Sequence, residues 1–163
     1  MHSIPALARA VASHPAFSDR QVDVSSRLYT GHSRGGHGSY MVGMHHPDTA
    51  KGVASLSGWW RREQYADANI LFDLDQQLEH LDPALRAILE ASITDHDSSH
   101  LAANLVGLPV LLRTGDQDGS VPAYHTRRMA RLLRELTVNV SFTELAGKGH
   151  WCVSAWVWVW VVV

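Results

Sequence analysis

The amino-acid sequence predicts an α/β protein, with a mainly parallel sheet flanked by helices. Four short apolar runs of strand length are separated by stretches with helical character. Connections of that length join parallel rather than antiparallel neighbours, because antiparallel strands close through tight turns. One of the separating helices is rich in small residues, as expected where a helix lies close against a sheet.

The elements follow in order. Ile4, Leu7, Ala8 and Val11 share one helical face near the start. Arg27-Leu28-Tyr29-Thr30 reads as a strand running into a glycine turn. Residues 34–46 read as a buried helix in which Gly35, Gly36, Gly38, Ser39 and Gly43 alternate with Tyr40, Met41, Val42 and Met44. A helical glycine costs about 1 kcal/mol relative to alanine, so close packing is the expected compensation. Pro47 ends the helix. Gly52–Ser57 is the second predicted strand, Leu108–Arg113 the third and Val138–Phe142 the fourth. Between the last two, Met129, Leu132, Leu133 and Leu136 form an apolar stripe after Pro122, with Arg127, Arg128, Arg131 and Arg134 on the other face. That arginine face reads as solvated. The stretch from about 59 to 105 is a helical excursion. Asp82-Pro83 starts one helix carrying Leu85, Ile88 and Leu89, and Asp97 or Ser98 caps a second through Leu101 and Leu105.

Composition narrows the classes. A chain of 163 residues with 45% hydrophobic residues fits a single domain with a real core. A formal net charge of -2 gives no electrostatic reason to expect nucleic acid or an anionic membrane as partner. The single cysteine, Cys152, excludes an intrachain disulfide and reads as a packing residue. Met1–Phe17 lacks the basic and apolar segments of a signal peptide, and the apolar C-terminal run is too short for a membrane span of about 20 residues.

The chemistry is carried by three motifs. Gly31-His32-Ser33-Arg34-Gly35-Gly36 follows the first strand and leads into the first helix, so a sharp turn there would present the Ser33 hydroxyl. Glycines two residues either side of Ser33 lack the Cβ atoms that would collide in such a turn. A serine hydroxyl needs a base, with a carboxylate behind the base. After the third strand comes Gly115-Asp116-Gln117-Asp118-Gly119-Ser120-Val121-Pro122, and after the fourth comes Gly147-Lys148-Gly149-His150. Serine, then aspartate, then histidine, each after a strand, is the arrangement of α/β-hydrolases. Either Asp116 or Asp118 can supply the carboxylate.

These three motifs together resemble the catalytic domain of prolyl-oligopeptidase-like serine peptidases over residues 20–151. The resemblance implies Ser33 as nucleophile, Asp118 as acid and His150 as base, with Asp116 as the alternative acid. It also implies an oxyanion hole made of the Arg34 backbone N–H and a second donor from an earlier strand's loop, for which this sequence has no candidate, so an inactive fragment or pseudoenzyme is the alternative expectation; Gly31, Gly35 and Gly36 are the glycines of the nucleophile turn. Peptide or ester substrates are expected, and no metal or cofactor. Members of the family have several strands before the nucleophile, usually after a further N-terminal domain, and a final amphipathic helix. The expectation is therefore a partial α/β-hydrolase fold, the C-terminal half of its sheet, over residues 1–151. Residues 152–163, with Trp156-Val157-Trp158-Val159-Trp160, are expected to be an atypical apolar tail.

The remaining features have quieter readings. Asp95-His96-Asp97 with His100 has a metal-like spacing but lacks a third ligand nearby. His45-His46 suits a helix C-terminus, and His32 belongs to the turn rather than to catalysis. Trp59 and Trp60 follow the second strand, where they either wall a substrate pocket or pack beneath the excursion.

Overall fold

The computed structural model describes residues 6, 9–10, 13–17, 25–61, 64–65, 82–95 and 97–152. The predicted helix at 4–11 falls partly outside this set, with Ala6, Arg9 and Ala10 helical. The apolar tail from Val153 onward lies wholly outside it, as does His96.

The sheet has four strands: β1 (Arg27–His32), β2 (Ala50–Leu56), β3 (Val110–Gly115) and β4 (Val140–Leu145). Their spatial order is the sequence order, and each neighbouring pair is parallel. Central strand β2 is buried at all but Lys51, whereas β1 and β4 at the edges are only partly covered. Among the described residues three helices lie in the connections: α1 (Arg34–His45), α2 (Pro83–Thr94) and α3 (Ala123–Glu135). α1 packs on β1 and β2, α3 packs on β3 and β4, and a short 3-10 turn at Ala102–Leu105 touches both helices. Tyr40, Met44, Val53, Leu105, Leu112, Met129 and Leu133 meet between these layers, and all are essentially buried.

Helix α1 buries Gly36, Ser39, Tyr40, Gly43 and Met44, the spacing of one helical face. A Cβ at Gly43 would lie 2.5 Å from Val53 Cγ2, which is the close helix–sheet approach its sequence implies. Gly35 and Gly38 meet no atom within 4 Å, so only part of the glycine content serves packing. The helix stops at His46, whose N–H still donates to the Val42 carbonyl before Pro47 blocks continuation.

In α3, Met129, Ala130 and Leu133 are buried while Leu132 and Leu136 are partly so, which matches the predicted stripe. The arginine face is engaged locally. Arg127 forms a fork with Glu144, Arg131 pairs with Glu135, Arg128 lies over the Trp60 and Tyr124 rings, and Arg134 over Phe142.

Among its described residues the excursion departs from its sequence reading in one place, and residues 66–81 lie outside the described set. Asp82 does cap α2, accepting from the Ala84 and Leu85 N–H groups at 2.9 and 3.1 Å with Pro83 in the first turn. Leu85 and Ile88 on that helix are exposed. The expected α-helix starting at Asp97 or Ser98 is replaced by turns and the 3-10 segment. Asp97 is buried and its carboxylate is held by Arg61 at 3.1 Å and by the Ser99 N–H at 2.9 Å, while Ser98 Oγ donates to the Trp60 carbonyl. These bonds tie the segment back to the residues after β2 and compete with regular helix.

Candidate active site

Strand β1 ends at His32, and Ser33 forms the junction to α1 with φ 58° and ψ -118°. A non-glycine residue in this region is strained by about 1–3 kcal/mol, and neighbouring structure must hold it there. Three contacts do so. The Ser33 N–H donates to the Leu56 carbonyl of β2 at 2.8 Å. A Cβ at Gly31 would collide with the Gly35 carbonyl, and one at Gly36 would lie 2.8 Å from the Leu56 carbonyl oxygen. The turn thus needs Gly31 and Gly36 for close backbone approach. Gly35 contributes its backbone, and its own missing side chain relieves no clash. The Ser33 hydroxyl does not cap α1. Arg34 opens the helix, where backbone N–H groups lack intrahelical acceptors.

The second part of the site is assembled from the loops after β3 and β4. Asp118 is buried, with one carboxylate oxygen accepting from the Ser120 N–H at 3.0 Å and the Val121 N–H at 2.8 Å. His150 Nδ1 lies 2.9 and 2.8 Å from the two oxygens of the same carboxylate. A carboxylate only accepts here, so Nδ1 carries the hydrogen and the far ring nitrogen, Nε2, is left as the basic atom. Asp116 is exposed, and its N–H donates to the Leu145 carbonyl. The His150 loop crosses directly over the end of β3. A Cβ at Gly115 would collide with the Lys148 carbonyl, which accepts from the Gln117 N–H at 3.0 Å.

The two parts meet through His32. Its Nε2 donates to the His150 carbonyl at 2.8 Å, and its ring lies 4.6 Å from the His150 ring and 5.0 Å from that of Trp151. The sequence assigns His32 to the turn alone. Its reach to residue 150 has no local signature, because the two positions meet only when the β4 loop folds back over the sheet. Cys152 is also buried near here, its sulfur 3.9 Å from Ser57 Oγ.

Trp59 and Trp60 are both nearly inaccessible. Trp59 is stacked between His37 at 4.9 Å and Tyr65 at 4.3 Å, and Tyr65 meets His125 edge-on. Burial pushes the His125 imidazole below the usual histidine range. Trp60 borders an open pocket of about 350 Å³ together with Arg61, His100, Arg128 and Arg131. Among the described residues no cluster of histidine, cysteine and carboxylate side chains has the makings of a metal site. No described helix is long and apolar enough to cross a membrane.

A parallel sheet with helices in its crossovers, and with a serine turn, an aspartate loop and a histidine loop at the same strand ends, defines an α/β-hydrolase fold. The sequence model of the prolyl oligopeptidase family matches residues 8–157, and the chain belongs to that family. A protein of Arthroderma benhamiae described as an uncharacterized secreted protein is 30% identical over 124 residues. The match covers 76% of this chain and 13% of that protein, so the chain spans a small part of its relative. The acylaminoacyl peptidase of Pyrococcus horikoshii superposes with a TM-score of 0.60 at 20% identity, over 79% of this chain and 20% of the other. A puromycin-hydrolyzing peptidase of Mycobacterium tuberculosis gives a TM-score of 0.62 at 21% identity, over 90% of this chain and 21% of the other. An α/β fold family hydrolase of Bacillus anthracis gives 0.54 at 12% identity, over 78% of this chain and 62% of the other. At these identities the structural likeness speaks to the fold.

Proposed function

We propose that the chain carries the nucleophile, base and acid of a serine peptidase that works by acyl transfer. The observation that supports this best is the buried Asp118 carboxylate, fixed by two backbone N–H groups and fixing His150 in turn. An aspartate so placed selects the histidine tautomer with a basic Nε2 and stabilises the imidazolium that forms on proton transfer.

In this reading His150 Nε2 takes the proton from Ser33 Oγ as that oxygen bonds to the substrate carbonyl carbon. The carbonyl oxygen becomes an oxyanion, which the Arg34 N–H at the start of α1 stabilises by donating to it. His150 then gives its proton to the leaving amine, the carbonyl re-forms and an acyl-enzyme remains. Water, deprotonated by His150, releases the acid product and regenerates Ser33. Trp59 and Trp60, which follow β2, with Trp59 against His37 of α1, are proposed to back the substrate pocket, and family membership favours a peptide over a simple ester as substrate.

A fluorophosphonate probe tests the reading. We expect stoichiometric labelling of the chain at Ser33, identified by peptide mass, and none in Ser33→Ala with the circular dichroism spectrum unchanged. Equal labelling of the variant would put the nucleophile elsewhere. An unlabelled wild-type chain would favour an inactive member of the family. Comparison of peptide anilides with p-nitrophenyl esters on labelled-competent protein then separates peptidase from carboxylesterase.

A further inference from the structure

We infer that His32 is a positioning residue that aligns His150 with Ser33, an inference that rests on the reading of Ser33, Asp118 and His150 as a triad. The need for such a group follows from the sheet order. Ser33 leaves the end of β1 at one edge, whereas His150 follows β4 at the other. At about 4.8 Å between neighbouring strands those edges stand roughly 14 Å apart. A fully extended chain from Leu145 to His150 reaches at most about 17 Å. The loop covers less than that because it turns: the Lys148 N–H donates back to the Leu145 carbonyl at 3.3 Å and the Cys152 N–H to the Gly149 carbonyl at 3.1 Å, and its contact with the end of β1 is made by a side chain.

Its moorings are unevenly distributed. Two hydrogen bonds fasten it to the loop after β3: the Gln117 N–H to the Lys148 carbonyl, and His150 Nδ1–H to Asp118. These hold the imidazole against its acid but leave its distance from the serine unset. The hydrogen bond from His32 Nε2 to the His150 carbonyl supplies that dimension, joining the residue before the serine to the base itself. The His32 ring also lies against the rings of both His150 and Trp151, which restrains rotation of the loop about that bond. His32 touches the backbone and ring of His150, and its donor atom is committed to a carbonyl, so it acts through the base.

Two substitutions separate the hydrogen bond from the packing. His32→Phe keeps a ring and removes the donor. His32→Gln removes the ring but carries an N–H the same number of bonds from Cβ. Fluorophosphonate inactivation of the 163-residue chain is followed to give the limiting rate and the half-saturating probe concentration separately. A misplacement of about 1 Å costs on the order of 10²-fold in rate. His32→Phe should therefore lower the limiting rate about 10²-fold with half-saturation within about threefold, and His32→Gln should recover to within about tenfold of wild type. The proton resonance of His150 Nδ1–H should persist in both variants, since Asp118 still accepts it. A His32→Phe chain labelled at the wild-type rate overturns the inference, as does a His32→Gln chain no better than His32→Phe. Loss of the Nδ1–H resonance in His32→Phe would also overturn it, by showing that His32 upholds the acid–base pair rather than its alignment. A wild-type chain that is not labelled at Ser33 sinks the triad reading itself, which distinguishes the two failures.

Discussion

The serine turn and the Asp118–His150 pair are built by opposite means. Around Ser33 the backbone is held in a strained conformation by close contacts that only glycine permits, with the Ser33 N–H donating to the Leu56 carbonyl and the Ser33 carbonyl accepting from the His37 N–H. Around Asp118 the carboxylate is buried and satisfied, accepting from two backbone N–H groups and from His150. Steric exclusion fixes the first region and polar satisfaction fixes the second. A substitution that changes volume should therefore damage the turn, whereas one that changes hydrogen-bonding capacity should damage the pair.

The largest effect is expected at Asp118. Asp118→Asn preserves size but offers His150 a mixed partner and invites the wrong tautomer, which should lower turnover by about 10⁴-fold. Steady-state ester hydrolysis or probe labelling measures it, and Asp116→Asn serves as the matched control with a change of less than about threefold. A larger loss at Asp116 than at Asp118 would reassign the acid.

Next comes Gly31→Ala. Its methyl group would strike the Gly35 carbonyl, so the turn must open, and a destabilisation of about 3 kcal/mol or more is expected from such overpacking against backbone. Urea denaturation reports the stability and fluorophosphonate labelling the turn. Gly35→Ala is the contrast: open space surrounds that position, so its cost should stay near the alanine-favouring helix preference and labelling should continue. Equal damage at both glycines would remove the distinction between a required close approach and an incidental glycine.

The smallest effect has the opposite sign. Ser33→Gly relieves a positive φ and should raise stability by about 1 kcal/mol while abolishing labelling. An unchanged or lower denaturation midpoint would show that the turn stores no strain.

Much of this architecture was legible in the residues. The four strands fall where the apolar runs predicted, shifted by two residues at most at their starts, and α3 buries the face its periodicity marked, while α1, expected to be a buried helix, buries one face only. Asp82-Pro83 carried a local cap signal that the fold obeys. The segment after Asp97 carried a similar signal and did not obey it, because its carboxylate is drawn to Arg61, a partner distant in sequence. Sequence also left two carboxylates open after β3. Burial and the two backbone donors single out Asp118 as the partner of His150, while Asp116 stays at the surface.

The sequence by itself determined the α/β class, the serine turn and the loops on which aspartate and histidine lie. Each of these depends on local periodicity, on glycine placement or on motif order, and such information is carried by neighbouring residues. Only the tertiary structure decided which carboxylate meets His150, which turn glycines bear a close approach, and that His32 reaches the histidine loop. Those outcomes depend on distances between strand ends set by the sheet, where residues far apart in the chain are brought within hydrogen-bond range.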